Sequence, residues 1–250
     1  MPTSYGSLSD DFYVNMTVNT QLDLPTERDT ILHFFERIQR SFPTMNTFYQ
    51  RESGEFFLEE DRERGDYRWV SVERDRVCSG IVNPDSLEDS DEQHLLVLEQ
   101  IPFALGVVNL DVDSLDVLFG MDFDCKSNHD EVLAEALFGD SAFARLLEYP
   151  GAKPLGYDPA VVISLSADCR LQAKVSVESR TGAYQVRTGK FKEEEPLSLY
   201  LSVRQYPDPS NPFSGKDSYL NQRRLCEEIM TDRVIPCFVH PINGAIAHRQ

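Results

Sequence analysis

The densest concentration of groups able to do chemistry is Asp122, Asp124, Cys125, His129, Asp130 and Glu131. In an extended strand, residues two apart share a face, which sets Asp122 beside Asp124; His129 follows at the start of a predicted helix. Two carboxylates and an imidazole suffice to hold a divalent ion and activate a water on it. No established metal signature spans the three, and Asp130 and Glu131 equally suit a helix's first turn, where carboxylates complement the positive end of the dipole. A second set is Cys226, Cys237, His240 and His248. The Cys237–His240 spacing suits zinc, but the paired-cysteine knuckle that usually accompanies it is absent. The chain also lacks a Gly-x-Ser-x-Gly elbow, a glycine-rich phosphate cradle and a His-Glu-x-x-His pair. Trp69, between Arg68 and Val70 in a predicted strand, can stack on a ligand or pack a core or sheet edge.

The elements that must position these groups follow from hydrophobic spacing. Phe12, Val14, Met16 and Val18 alternate with Tyr13, Asn15, Thr17 and Asn19, which predicts a strand covered on one side only. Ile31, Phe35, Ile38 and Phe42 recur at spacings of four, three and four, a helical stripe that Pro43 closes. Strands are then expected at 46–51, 55–60, 66–73 and 76–82, followed by a helix from about Ser90 to Pro102. The second half reads in the same order. Val117, Phe119, Met121 and Phe123 mark a strand, and 129–147 a helix interrupted at Gly139. Four strands are expected next, around Val161–Leu165, Leu171–Val177, 184–190 and Leu199–Val203. A last helix begins near Ser218.

One-sided strands and striped helices point to an α+β fold in which an antiparallel sheet carries helices on one face. The expected organisation is two β-α-β4-α units, 1–110 and 111–250, packed as one body with a curved, continuous sheet. Gly106–Asp113 is too apolar and short for a flexible linker, which favours this over two separate domains. The element order resembles the duplicated saddle of the TATA-box-binding protein family. That resemblance is topological, covers most of residues 12–235 and rests on no shared motif. The family's DNA-binding role is not carried over, because it needs a basic surface.

Composition argues the same way. The 250 residues carry 42 acidic against 24 basic side chains, a formal charge of −18. Such a chain repels phosphate backbones and anionic lipid and favours basic partners. Between Asp85 and Glu131, Lys126 is the only basic residue. The N-terminal MPTSYGSLSDDFYV has neither the basic nor the apolar region of a signal peptide, and no apolar run is long enough to span a bilayer. Five scattered cysteines read as reduced thiols, so a soluble cytoplasmic protein is expected.

If the apolar strand residues face the helices, the polar ones form an open face. Tyr13, Asn15, Thr17, Gln172, Lys174, Tyr200 and Arg204 are its candidate ligand-binding residues. The expected function is a non-enzymatic binding or scaffolding protein that engages a protein or peptide segment of basic character on this face, with no cofactor. The alternative is a metal-assisted hydrolase built on Asp122, Asp124 and His129.

Overall fold

Burial alternates strictly along β1 (Asp11–Thr20): Phe12, Val14, Met16, Val18 and Thr20 are buried, while the residues between them are half-buried. That two-residue period is the mark of a strand with one face against a core and the other open. In a computed structural model, which describes residues 4–192, 195–210 and 213–249, β1 sits near the middle of one nine-stranded sheet. The remaining strands are β2 (Thr47–Gln50), β3 (Phe56–Glu59), β4 (Tyr67–Val72), β5 (Arg76–Val82), β6 (Val112–Phe123), β7 (Ala160–Ser164), β8 (Leu171–Glu178) and β9 (Leu197–Gln205). Their spatial order is β2-β3-β4-β5-β1-β6-β9-β8-β7, and every neighbouring pair is antiparallel.

The core lies between the sheet and the helices. It gathers Phe12 and Met16 of β1 with Leu115, Phe119 and Phe123 of β6 and Leu199 and Leu201 of β9. Against these pack Ile31 and Phe34 of α1 (Arg28–Ser41), Val97 of α2 (Leu87–Ala104), and Tyr219 and Cys226 of α6 (Gly215–Ile229). Each such large side chain removed from water contributes about 1.5–3 kcal/mol. Phe12, Phe119 and Tyr5 interlock as tilted and edge-on rings with centroids 4.9–6.1 Å apart. Behind β4 and β5, the buried Gln93 amide of α2 reaches Ser79 Oγ (2.9 Å) and the Trp69 and Gly80 carbonyls (3.1 and 3.2 Å). The helix layer thereby pins the strands that carry the open face.

The structure departs from the sequence reading at three places. The strand expected at 184–190 is instead a helix, α5 (Ala183–Thr188). Its boundaries explain why: the Gly182 N–H donates to Gln185 Oε1 (2.6 Å), and Gly189 closes the turn in the left-handed conformation at φ +66°. Three strands therefore follow β6, where the β-α-β4-α reading expects four. Helix α2 begins at Leu87, because Ser86 accepts the Asp89 N–H as N-cap; Ser90 lies buried inside it. The helical stretch 129–147 is interrupted at Gly139 as expected, giving α3 (His129–Phe138) and α4 (Ala144–Leu147). The last helix starts earlier, capped by Ser214, and continues through a π-helical stretch (Met230–Val239) into α7 (His240–Ala247). Pro236 lies in that stretch; it has no N–H to donate, which disfavours regular α-helical bonding there.

Candidate functional site

Because every strand pair is antiparallel and in known register, the open face can be read in rows. One row runs Thr47, Glu59, Trp69, Gly80, Asn15, Leu118, Ser202, Lys174, Val162 across all nine strands. The next runs Tyr67, Val82, Tyr13, Gly120, Tyr200, Ser176, Ala160. On the other side lie Tyr49, Phe57, Ser71, Cys78, Thr17, Asp116, Arg204, Gln172 and Ser164. All seven predicted ligand-binding residues fall in these rows.

Two glycines shape the face. A Cβ on Gly80 would lie 2.3 Å from the Trp69 ring, and one on Gly120 would lie 2.1 Å from the Tyr13 ring. The aromatic side chains thus lie down across glycine backbone in the interior of the sheet, which only a residue without a side chain permits. Between these rings opens a cavity of about 520 Å³ over Asn15 and Val82, walled by Tyr13, Phe57, Tyr67 and Trp69. The Asn15 Oδ1 is buried and makes no hydrogen bond among the described residues.

The cavity's charges are unequally matched. The Arg51 guanidinium stands 4.0 Å over the Phe57 ring and is 3.7 Å from Glu55; Arg62 stands 5.6 Å from the Tyr67 ring and binds Glu59 at 2.6 Å. Glu73 is paired with Arg76 at 3.2 Å. Asp11 and Asp122, by contrast, face each other across the β1–β6 ladder and are held by neutral donors. Asp11 accepts from Asn83 Nδ2 (2.6 Å), and Asp122 accepts from Ser198 Oγ and from the Tyr13 hydroxyl (3.3 Å). Burial first, and then the neighbouring Asp11 charge, push the Asp122 carboxyl above its usual range, while its hydrogen bonds and Arg180 pull the other way. Burial likewise raises the Tyr13 hydroxyl, which stays protonated and donates.

The rest of the predicted set is distributed along the face. Tyr200 stands edge-on to Tyr13 at 6.4 Å and is tied by Arg180 Nη2 (3.1 Å) and its own bond to Glu178 (3.1 Å). Arg204 grips Asp116 with two bonds of 2.7 and 2.6 Å, Gln172 donates to the Cys169 carbonyl (2.8 Å), and Lys174 is exposed. Thr17 Oγ1 reaches Cys78 Sγ at 3.6 Å, and burial pushes that thiol up to about 12, so it stays protonated rather than nucleophilic. Tyr13 and Asn15 alone of the seven line the cavity.

Asp122, Asp124 and His129 do not converge. His129 is buried behind the sheet end, where its Nε2 meets the Cys125 carbonyl (3.1 Å) and its Nδ1 accepts the Arg180 N–H (3.3 Å). With both ring nitrogens on backbone and burial holding the imidazole neutral, it braces the turn into α3. Asp124 is exposed, its N–H bonded to Asp10. Among the described residues, no group of three His, Cys, Asp or Glu side chains is arranged to hold a metal. In the C-terminal set, Cys226 is buried with its Sγ 3.6 Å from the Val117 carbonyl, Cys237 is exposed, and His248 meets Glu135 at 2.8 Å.

Sequence reasoning left out Asp11, Phe57, Tyr67, Arg51 and Arg62. The signal that could have found the cavity was Gly80 and Gly120, each isolated within a strand pattern, where a glycine marks close approach of another group. No helix among the described residues is long and apolar enough to cross a membrane. Comparison with family models, with curated proteins and with solved structures finds no match to this chain.

Proposed function

We propose that the protein is a binding or scaffolding module that holds a basic protein segment on its open sheet face, with one arginine side chain seated in the aromatic cavity. The observation that carries this reading is the pairing of Asp11 with Asp122 beside Trp69 and Tyr13. Like charges directly opposite in a sheet are destabilising; among the described residues neither carboxylate closes an ion pair, and Arg180 acts on Asp122 alone, outweighed there by burial. A guanidinium answers both the rings and the carboxylates. Its planar face stacks on aromatic rings, and its N–H groups supply donors for two carboxylates. Lysine, a point charge without a flat face, fits less well. The rim arginines do not oppose this, since each is already matched by a carboxylate of its own.

The sheet order further supports reading 1–110 and 111–250 as two units of one body. Outward from the central β1–β6 ladder, one side runs β1, β5, β4, β3, β2 and the other β6, β9, β8, β7. Each half thus places its first strand at the centre and its last strand next. This is the order a duplicated saddle requires, one strand short in the second half.

Calorimetric titration with a hexa-arginine peptide in physiological salt tests the binding reading. Asp11→Lys on the open face should weaken binding at least tenfold, whereas Glu36→Lys at an exposed position of α1, an identical change in net charge, should not. Equal affinity for both variants would show attraction to the acidic chain at large and reject the site.

A further inference from the structure

The two edges of the sheet are built differently. On β2 the fully exposed positions are Thr47 and Gln50, followed by Arg51 and Glu52, polar groups that discourage pairing with another chain. On β7 all five residues, Ala-Val-Val-Ile-Ser, are exposed, with Val161 at 59%, Val162 at 58% and Ile163 at 49%. No charge interrupts this strand. From residue 150 to 166 the chain carries only Lys153 and Asp158, so a body of net charge −18 is locally neutral here.

The hydrogen-bond phase of β7 is fixed by its ends. The Leu165 N–H donates to the Leu171 carbonyl, and the Val177 N–H to the Pro159 carbonyl, so the odd-numbered residues of β7 direct their backbone groups at β8. Ala160, Val162 and Ser164 therefore direct theirs outward. These three are symmetric about Val162. An antiparallel copy of the same strand would pair Val162 with its own counterpart and Ala160 with Ser164, closing about six backbone hydrogen bonds about a twofold axis. On the helix side, Val161 of one copy would then meet Ile163 of the other. Val161 is also part of an apolar groove of about 650 Å³ that contains Phe138, Phe143, Leu146 and Phe238. Phe143 and Leu146 are 58% and 71% exposed, so the apolar surface continues from strand to groove.

We infer that β7 is a self-association edge, and that two copies of this chain join β7 to β7 into one continuous eighteen-stranded sheet. A second copy is the occupant that the strand's symmetry about Val162 and its local neutrality select, and pairing removes the exposed apolar edge that a lone chain would carry into solution. This inference is independent of what the open face binds.

Sedimentation velocity on the full chain across the micromolar range tests it. The expected wild-type species has about twice the 28.5 kDa chain mass. Val162→Lys should weaken the dimer at least tenfold, with Trp69 emission unchanged as evidence of an intact sheet, and Thr47→Lys on the opposite edge should leave it intact. Should Val162→Lys fail to fold, hydrogen exchange on the wild-type chain decides: the amides of Ala160, Val162 and Ser164 should lose protection on dilution. A wild-type chain that sediments as a monomer throughout, a dimer that survives Val162→Lys, or exchange at those amides that is independent of concentration would each overturn the inference.

Discussion

Asp11 and Asp122 are register partners on β1 and β6, two carboxylates directly opposed at the rim of an aromatic cavity and hydrogen-bonded, among the described residues, by the neutral side chains of Asn83, Ser198 and Tyr13. Such an arrangement works against the stability of the free protein and is resolved by a cation arriving from outside. Asp11→Asn should accordingly stabilise the unliganded chain by about 0.2–1 kcal/mol. The same change should weaken hexa-arginine binding about tenfold, or about 1.4 kcal/mol. Urea denaturation and calorimetry read the two effects, and their opposite signs separate a functional carboxylate from a structural one.

The pH dependence of Asp122 has a definite sign. Its folded value is raised above the ordinary 3.8, so the fold favours the neutral acid. That preference contributes fully below 3.8 and is lost as pH rises through the folded value. Asp122→Asn, which keeps an acceptor for Ser198 and Tyr13, should be more stable than wild type at neutral pH, with the difference vanishing in acid. Parallel urea titrations at neutral pH and at about pH 3 check this; a difference independent of pH would show that the carboxyl charge is not its source.

Gly120 and Tyr13 form a coupled pair. Gly120→Ala sets a methyl 2.1 Å from the Tyr13 ring and should cost about 1–3 kcal/mol by overpacking. In a Tyr13→Ala background the obstacle is gone, and most of that cost should disappear. A double-mutant cycle measures the coupling, and a cost unchanged in both backgrounds would place its origin in the backbone.

Much of the frame was legible in the sequence because alternation and helical spacing report directly which side of an element meets the core. β1, β6 and β9 show it most clearly: Phe12, Val14, Met16 and Val18, then Val117, Phe119, Met121 and Phe123, then Leu199, Leu201 and Val203 all face inward. What the pattern could not report was lateral. Whether Tyr13 and Trp69 stand up from the sheet or lie across it depends on Gly120 and Gly80, residues brought beside them by register rather than by sequence. Asp11 and Asp122 are likewise more than a hundred residues apart, so their opposition exists only once β1 pairs with β6. At 184–190 a weak strand pattern competed with Gly182 and Gly189, and the glycine-bounded turn prevailed.

His94 predicts the acid limb of stability. Burial lowers its imidazole to about 3, where it packs edge-on to Tyr219 and meets Ser79 at 2.9 Å. A histidine held neutral in the fold contributes stability above its unfolded value of about 6.5, and that contribution is lost as pH falls toward the folded value. His94→Gln should therefore flatten the loss of stability between about pH 6.5 and pH 4 in urea titrations. A variant as acid-sensitive as wild type would assign that slope elsewhere.

Trp69 is the sole tryptophan in the chain and forms one wall of the cavity between Asp11, Asp122 and Tyr13. Its emission during titration with hexa-arginine, in physiological salt, reports directly on whether a guanidinium enters. The expected result is a saturable change that hexa-lysine produces more weakly and that Asp11→Lys abolishes. Emission that stays constant while calorimetry records peptide binding would place that binding away from the open face and contradict the account.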